Sequence, residues 1–286
     1  MAEILKGAPV AAAITEKLTV RADALRASGV TPTLAIIRIG ENPGDLSYET
    51  GTVKRCEKIG INVKKYLLPA DCSRDTLLST IRGINEDVSV HGCLMFRPLA
   101  DRETEAAACR LLDPEKDVDC MTEGSLAGVF TGSGSGYPPC TAQACMELLD
   151  HYGVELQGRR AAVIGRSLVI GKPVSMLLQA RNATVTMCHT KTVDLPAVCR
   201  QTELLVVAAG RAGVVDASYT APGQIVIDVG INVDTEGKIC GDVDFDAVEP
   251  LVSAITPVPA GVGSVTTAVL AKHVIEAAEK AAGNKR

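Results

Sequence analysis

The sequence predicts an α/β protein with two domains, each built on a parallel β-sheet that helices cover. Strand-like and helix-like segments alternate along the chain, which is typical of this class. A loop rich in glycine, serine and proline at residues 131–139 interrupts the alternation. The length of 286 residues, 47% of them hydrophobic, is enough for two cores. We expect one domain over residues 1–139 together with 264–286, and a second domain over residues 140–263.

The first region contains three predicted strands, each followed by a predicted helix. Gly40 ends a buried apolar run, Gly60 closes a helix, Ser73 is a candidate N-cap, and Pro98 follows a third strand. In order, the predicted segments are a helix over Val10–Ala27, a strand over Thr33–Gly40, a helix over Gly44–Lys58, a strand over Asn62–Leu68, a helix ending at Asn85, a strand over Gly92–Phe96 and a helix over Glu103–Leu112.

The second region has the doubly wound pattern of a dinucleotide-binding domain. Thr141 is a candidate cap for the helix that leads into it. The predicted segments are a helix ending near Tyr152, a strand over Arg160–Ile164, a helix ending near Ala180, strands over Ala183–Cys188, Leu204–Ala209 and Gln224–Asp228, and a last helix over Val265–Ala282. We expect the last helix to return to the first domain.

Composition excludes several classes of function. The net charge of −5 and the scattered lysines and arginines argue against a nucleic-acid partner. No apolar run approaches the ~20 residues that a membrane helix needs, and the first residues do not resemble a signal peptide. The ten cysteines form no CxxC pair, and Cys140 and Cys145 alone do not make a zinc site. We expect a cytoplasmic protein with reduced thiols, no bound metal and no membrane partner.

The segment Gly165-Arg166-Ser167 predicts a dinucleotide site. It follows a buried strand and precedes a helix, where glycines let a pyrophosphate approach the helix N-terminus. The next strand ends at Cys188-His-Thr-Lys191 without a carboxylate, which favours NADP over NAD, as does Arg166. A tight strand–helix turn without a ligand, and a solvated loop after Cys188, are the alternatives.

Five ordered motifs of the second region, with matches in the first, resemble the bifunctional methylenetetrahydrofolate dehydrogenase/cyclohydrolase family. The five are Val163–Pro173, Ala183–His189, Ile227–Asn232, Gly241–Phe245 and Ile255–Pro259, and the further matches are Ser47-Tyr48, Cys56, Gly60-Ile61 and Lys116–Asp119. The resemblance implies a two-domain α/β fold with a Rossmann-like NADP domain, a tetrahydrofolate-type substrate bound between the domains, and a homodimer.

The resemblance also implies roles for individual residues. Gly165, Arg166 and Ser167 would contact NADP, with Thr190 near its 2′-phosphate and Ile231 near the nicotinamide. Tyr48 and Asp119 match the folate-site tyrosine and aspartate, while Pro259 and Gly261 belong to a later folate-facing loop. Without the resemblance, the preferred interpretation is that Tyr48 is a residue of an amphipathic helix and Asp119 a turn residue.

The chain departs from the family pattern at two catalytic positions. Thr52 stands where the family has a lysine, and Phe96 stands where it has a glutamine. Lys54 lies about 200° around the helix from position 52, so it does not simply replace the lysine. Cys120 and Ala260 replace family glycines, and Ser125 an asparagine.

These departures predict unequal loss of the two family activities. Hydride transfer to NADP needs the protein mainly to position its partners, whereas hydrolysis of the methenyl group needs proton transfer near neutrality. We therefore expect NADP-dependent oxidation of methylenetetrahydrofolate, with cyclohydrolase activity weak or lost. The alternatives are a fully bifunctional enzyme, a diverged NADP-binding paralogue with another substrate, and a non-catalytic binding module.

Overall fold

The computed structural model of the protein describes residues 1–283. The strands are β1 (Glu3–Ile4), β2 (Thr33–Ile39), β3 (Asn62–Leu68), β4 (Gly92–Met95), β5 (Arg160–Ile164), β6 (Thr184–Cys188), β7 (Leu204–Val207), β8 (Ile225–Asp228), β9 (Asn232–Val233), β10 (Ile239–Cys240) and β11 (Ala254–Ile255). The helices are α1 (Gly7–Ala27), α2 (Pro43–Ile59), α3 (Arg74–Glu86), α4 (Arg102–Leu111), α5 (Glu123–Thr131), α6 (Cys140–His151), α7 (Gly171–Ala180), α8 (Leu195–Arg200), α9 (Phe245–Val248) and α10 (Thr266–Gly283). The alternation predicts this α/β class correctly.

The chain folds into two compact units, which we name by their main sheets. The three-stranded unit contains Ala13–Cys140 and residues 267–283, and the six-stranded unit contains Met1–Ala12 and Thr141–Thr266. The division differs from the predicted domain boundaries, which assign residues 1–12 to the first domain. The physical reason is β1, which pairs in parallel with β11 and so adds the first residues to the six-stranded sheet.

The three-stranded unit is a small parallel sheet in the order β3-β2-β4. Its central strand β2 is buried along nearly its whole length, because it has a strand on each side and apolar cover on its faces. On α3, Leu77, Ile81 and Ile84 repeat at helical spacing and are fully buried. They pack in one cluster with Ile37 and Met95 of the sheet.

The six-stranded unit has a parallel sheet in the order β1-β11-β8-β7-β5-β6. Strand β5 has β6 on one side and β7 on the other, so the chain reverses its direction of travel across the sheet at β5. Ligands of open α/β sheets bind outside the carboxyl ends of strands at such a switch point. The turn that follows β5 is therefore the expected place for a nucleotide.

Local signals set most helix boundaries. Ser73 Oγ accepts from the Thr76 amide at 3.1 Å, so the predicted N-cap of α3 is confirmed. Gly60 ends α2 in the left-handed region at φ 90°, as expected for a C-cap. Thr141, the predicted cap of α6, lies inside that helix, which begins one residue earlier at Cys140. Within residues 1–283, no helix is long and apolar enough to cross a membrane.

Candidate active site

The turn after β5 lies so close to neighbouring backbone that only glycine fits at two positions. A Cβ on Gly165 would come within 2.2 Å of the Ala208 carbonyl oxygen, and one on Gly171 within 2.2 Å of the Gly165 carbonyl oxygen. Gly165 also has φ 128°, which L side chains rarely adopt. The geometry explains both glycines of the motif, because they let the turn pack against Ala208 and against the start of α7 at the switch point.

Helix α7 begins directly beside this turn, and Ser167 caps its N-terminus. The Oγ of Ser167 accepts from the Ile170 and Gly171 amides at 3.1 and 3.5 Å, and its carbonyl oxygen accepts from the Lys172 amide at 3.0 Å. Arg166 and Ser167 are exposed beside the helix start. The positive end of the helix dipole and the exposed side chains of the turn suit a pyrophosphate. The predicted cofactor residues Gly165, Arg166 and Ser167 therefore share one place, and they fit a dinucleotide.

The loop after β6 presents hydroxyl and basic groups. His189 donates its amide to Thr192 Oγ1 at 2.9 Å, and the Lys191 amide donates to His189 Nδ1 at 3.1 Å, so the loop is ordered by its own side chains. Thr190 and Lys191 are exposed there. Because β6 is the parallel neighbour of β5, this loop begins at the same sheet edge as the glycine turn. The arrangement favours a 2′-phosphate over a free ribose hydroxyl.

Ile231, Pro259 and Gly261 line one cavity of about 220 Å³ in the six-stranded unit, together with Asp228 and Gly230. Ile231 is 71% exposed, so its side chain is available for a ligand. The cavity opens at the carboxyl end of β8, two strands from β5. Three of the residues that sequence reasoning selected for cofactor or substrate binding are therefore brought together.

Ala260, in the wall of this cavity, has a strained backbone. Its φ of 81° lies in the left-handed region that favours glycine, and it stands where the family has a glycine. Its carbonyl oxygen accepts from the Gly7 amide at 2.8 Å. A Cβ on Gly7 would lie 2.1 Å from the Gly261 carbonyl oxygen, so the start of α1 is packed tightly on this loop.

Helix α2 of the three-stranded unit presents Tyr48 and Thr52 one turn apart. The Tyr48 ring meets the Phe96 ring edge to face, with centroids 6.1 Å apart. Thr52 is only 1% exposed, and its Oγ1 is buried without a hydrogen-bond partner. An orphaned buried hydroxyl is unfavourable. Lys54 is exposed, as its predicted place on the opposite side of the helix requires.

An ion triad centred on the buried Glu49 fixes α2 to the sheet beside Tyr48. Glu49 accepts from Arg38 Nε at 2.7 Å and forms an ion pair with Lys65 Nζ at 2.9 Å. Burial alone would raise the pKa of Glu49, but hydrogen bonds from Lys65 and Arg38 outweigh it, and the pKa is lowered. Because Glu49 is charged and held from two strands, the helix that carries Tyr48 and Thr52 cannot rotate freely.

Asp119 lies in a turn that other side chains hold rigidly. Its Oδ1 accepts from the Cys140 amide at 3.0 Å. The buried carboxylate of Asp117 accepts from the amides of Met121 and Thr122 at 2.9 and 2.8 Å. Burial raises the pKa of Asp119, and the hydrogen bond from Cys140 opposes the rise. A carboxyl group with a raised pKa is suited to exchange a proton or to form hydrogen bonds with a polar ring of a ligand.

The end of β4 supplies Phe96 and Arg97. Phe96 lines a cavity of about 370 Å³ at the carboxyl ends of β2 and β4, together with Ile39 and Asp45. Arg97 is the next residue, and its positive charge counteracts the rise in the pKa of Asp119. Its Nη1 lies 3.9 Å from Glu105 Oε1. The structure therefore brings Phe96 to Tyr48, and Arg97 into the electrostatic reach of Asp119.

Sequence reasoning missed several groups that shape these places. Arg97 is visible in the sequence as a charge within the otherwise apolar run from Met95 to Ala100. Arg38 and Glu49 were visible as charges within a buried strand and on the inner face of a helix. Cys120 has φ 57°, so its replacement of a family glycine, like that at Ala260, puts a side chain in the left-handed region.

Two family models match the chain in adjacent ranges. Residues 5–119 match the catalytic domain of tetrahydrofolate dehydrogenase/cyclohydrolase, and residues 139–282 match the NAD(P)-binding domain of the same family. Together they cover most of the sequence. The predicted resemblance is confirmed, and so is the prediction that the cofactor is a nicotinamide dinucleotide.

Individual relatives match this sequence over nearly the full length of both chains. The bifunctional protein FolD of Carboxydothermus hydrogenoformans is 51% identical, with 98% of each chain covered, and that of Clostridioides difficile is 50% identical, with 96% of each covered. The crystal structure of bifunctional FolD from Campylobacter jejuni matches with a TM-score of 0.94 at 37% identity, covering 98% of this chain and 99% of that one. Trypanosoma brucei FolD, complexed with NADP and an inhibitor, matches with a TM-score of 0.91 at 33% identity, covering 98% of each.

Proposed function

Because this chain belongs to the tetrahydrofolate dehydrogenase/cyclohydrolase family, we propose that it oxidises methylenetetrahydrofolate to methenyltetrahydrofolate with NADP. The observation that carries the proposal is the glycine turn of Gly165, Arg166 and Ser167, which lies at the switch point after β5 and exposes Arg166 and Ser167. When bound, NADP accepts a hydride from the methylene carbon, a step that needs the protein mainly to position the reactants.

Preference for NADP rests on the charge around the ribose end. Arg166, Thr190 and Lys191 are exposed near the carboxyl ends of β5 and β6, and no carboxylate stands between Cys188 and Val193. A 2′-phosphate would find hydrogen-bond donors and positive charge here. The Trypanosoma brucei relative, whose structure contains NADP, supports the same choice.

Each unit contains residues that we assign to the folate. We assign Tyr48 to stacking on its aromatic part, Asp119 to a polar ring, and Pro259 and Gly261 to a backbone wall. The edge-to-face contact with Phe96 orients the Tyr48 ring, and the Cys140 amide orients the Asp119 carboxyl group. None of these roles requires the missing lysine, which is why the hydride step is compatible with this site.

The same site is poorly equipped for the second family reaction. Hydrolysis of the methenyl group needs a residue that can transfer protons near neutrality. The Thr52 hydroxyl is too weak an acid, and Phe96 offers no hydrogen bond. We therefore propose that cyclohydrolase activity is weak or lost, by roughly the 10²–10⁴-fold that acid–base help is worth.

A fully bifunctional enzyme is the second candidate. The names of the relatives favour it, since those that are 51% and 50% identical are called bifunctional. In that case another group would have to take over the proton transfer that a lysine at position 52 would supply. The two candidates differ only in the rate of the second step.

The test is a paired assay of both steps on the purified protein, with NADP and with NAD. We expect methylenetetrahydrofolate-dependent reduction of NADP and slow hydrolysis of methenyltetrahydrofolate. Thr52→Lys, alone and with Phe96→Gln, should raise hydrolysis at least tenfold. Thr50→Lys is the matched control, because Thr50 is exposed on the same helix and should leave hydrolysis unchanged.

Each other outcome selects another function. Hydrolysis by the unaltered protein at the rate of its dehydrogenase step would establish the bifunctional enzyme. NADP binding without turnover of the folate would indicate another substrate, or, if the folate also binds, a binding module. The proposed homodimer can be tested separately by size-exclusion chromatography with light scattering.

A further inference from the structure

Two short motifs of the six-stranded unit interlock through their glycines. A Cβ on Gly230 would lie 2.4 Å from Asp242 Cγ, and one on Gly241 would lie 1.8 Å from Asp228 Oδ2. Each glycine therefore makes room for the carboxylate of the other motif. Asp228, in turn, accepts from the Asp242 and Val243 amides at 3.1 and 3.0 Å, which fixes the backbone that carries Asp242.

Asp242 is fully buried and accepts four hydrogen bonds from two separate segments. Its Oδ2 accepts from the Ala209 and Gly210 amides at 2.6 and 2.8 Å. Its Oδ1 accepts from the Arg211 amide at 2.8 Å and from Asn232 Nδ2 at 2.9 Å. One side chain therefore holds both the loop after β7 and the first residue of β9.

Both segments border the nucleotide site. The loop after β7 begins at Ala208, whose carbonyl oxygen is the atom that leaves no room for a side chain on Gly165. Asn232 directly follows Ile231, the exposed residue in the 220 Å³ cavity. A displacement of Asp242 would therefore move the glycine turn and the cavity wall together.

We propose that Asp242 is a positioning residue for the nicotinamide dinucleotide, holding two walls of its site through backbone amides without touching the ligand. This inference rests on the proposed use of NADP. The proposed role explains the Gly241–Phe245 motif, which contains none of the residues that we assign to contact with NADP. The charge of Asp242 is essential to the role, because all four of its partners are N–H donors.

Asp242→Asn provides the test with almost no change in shape. An amide presents one oxygen and one NH2 group, so in either orientation at least one backbone N–H donor would face NH2. We expect the NADP dissociation constant, measured by calorimetry, to rise at least tenfold. The KM for NADP should rise in parallel, while kcat at saturating NADP stays within about threefold.

Two control variants separate positioning from general destabilisation. Asp244→Asn makes the same substitution two residues away, where Asp244 caps α9 through the Ala247 amide at 3.2 Å and asparagine caps equally well. Val248→Ala removes buried core volume from the same unit. Asp244→Asn should change nothing, and Val248→Ala should lower the melting temperature without changing NADP affinity.

If Asp242→Asn does not fold, Asn232→Ala decides the question, since it removes one of the four donors and should raise the dissociation constant about threefold. The inference is overturned if the deciding variant binds NADP within 1.5-fold of the unaltered protein, or if Val248→Ala weakens binding as much. Failure of the unaltered protein to bind NADP would overturn the proposed function as well.

Discussion

Glu49→Gln should be among the most damaging single substitutions in the three-stranded unit. It keeps the shape of the side chain but removes the counter-charge of Arg38, whose side chain is 8% exposed. An uncompensated buried charge typically costs about 3–5 kcal/mol. The second partner, Lys65, has a side chain that is 41% exposed, so its lost ion pair adds at most about 1 kcal/mol. We expect the free energy of unfolding to fall by about 3–5 kcal/mol.

The pH dependence of this loss has a definite sign. The pKa of Glu49 is lowered in the folded protein, so its charge stabilises the fold above the ordinary pKa of 4.5. That contribution disappears as the pH falls through the lowered value. The difference between the unaltered protein and Glu49→Gln should therefore be constant from pH 7 to 5 and shrink only in stronger acid.

Urea unfolding followed by circular dichroism measures the effect. Asp23→Asn is the control, because it breaks the ion pair of Asp23 with Arg26, whose side chains are 63% and 38% exposed, and should cost under about 1 kcal/mol. The double substitution Arg38→Met with Glu49→Leu should recover most of the loss, since apolar residues often replace a buried pair without penalty. A loss below about 1 kcal/mol for Glu49→Gln, or an equal loss in the control, would refute the reasoning.

Three further substitutions test other features. Ala260→Gly should raise the free energy of unfolding, measured in urea, by about 0.5–1 kcal/mol. Relief of about 1–2 kcal/mol of strain at φ 81° exceeds the entropic cost of folding a chain that is freer when unfolded. A destabilised variant would contradict this. Gly165→Ala should abolish calorimetric binding of NADP, since the methyl group would overlap the Ala208 carbonyl oxygen; unchanged affinity would show that the turn can shift. Lys116→Met should lower the free energy of unfolding by about 2 kcal/mol, because Lys116 Nζ donates to three carbonyl oxygens at the end of α3 at 2.7–2.9 Å. An unchanged free energy of unfolding would mean that water replaces these hydrogen bonds.

The fold was predictable where local signals decide it. Buried apolar runs located the main strands, and Ser73 marked the start of α3, because both depend on neighbours in sequence. Helix α5 escaped prediction, since Gly124 and Gly128 are poor helix formers. The need for glycine at position 128 comes from a residue outside the helix, because a Cβ on Gly128 would lie 1.8 Å from the Ser135 carbonyl oxygen. Strand β1, with two residues, is too short to show any periodicity.

The candidate site also has parts that the local sequence predicts and parts that depend on residues far apart in the chain. The nucleotide turn lies in a continuous segment and could be found from its glycines and the preceding strand. Comparison with the family pattern identified Thr52 and Phe96 as departures, but only the structure shows that the Thr52 hydroxyl is buried without a partner. The interlock of Asp228 with Asp242 joins positions that are apart in sequence, and nothing in either motif alone reveals it.

The pairing of β1 with β11 has a consequence for how the protein is made. A ribosome synthesises Glu3 and Ile4 some 250 residues before their partners Ala254 and Ile255. Helix α10, which belongs mostly to the three-stranded unit, follows these partners in the chain. Neither unit can complete its structure before these later segments have been synthesised. A contiguous fragment of either would lack part of its core, so splitting this enzyme into separately expressed halves requires a rearranged gene.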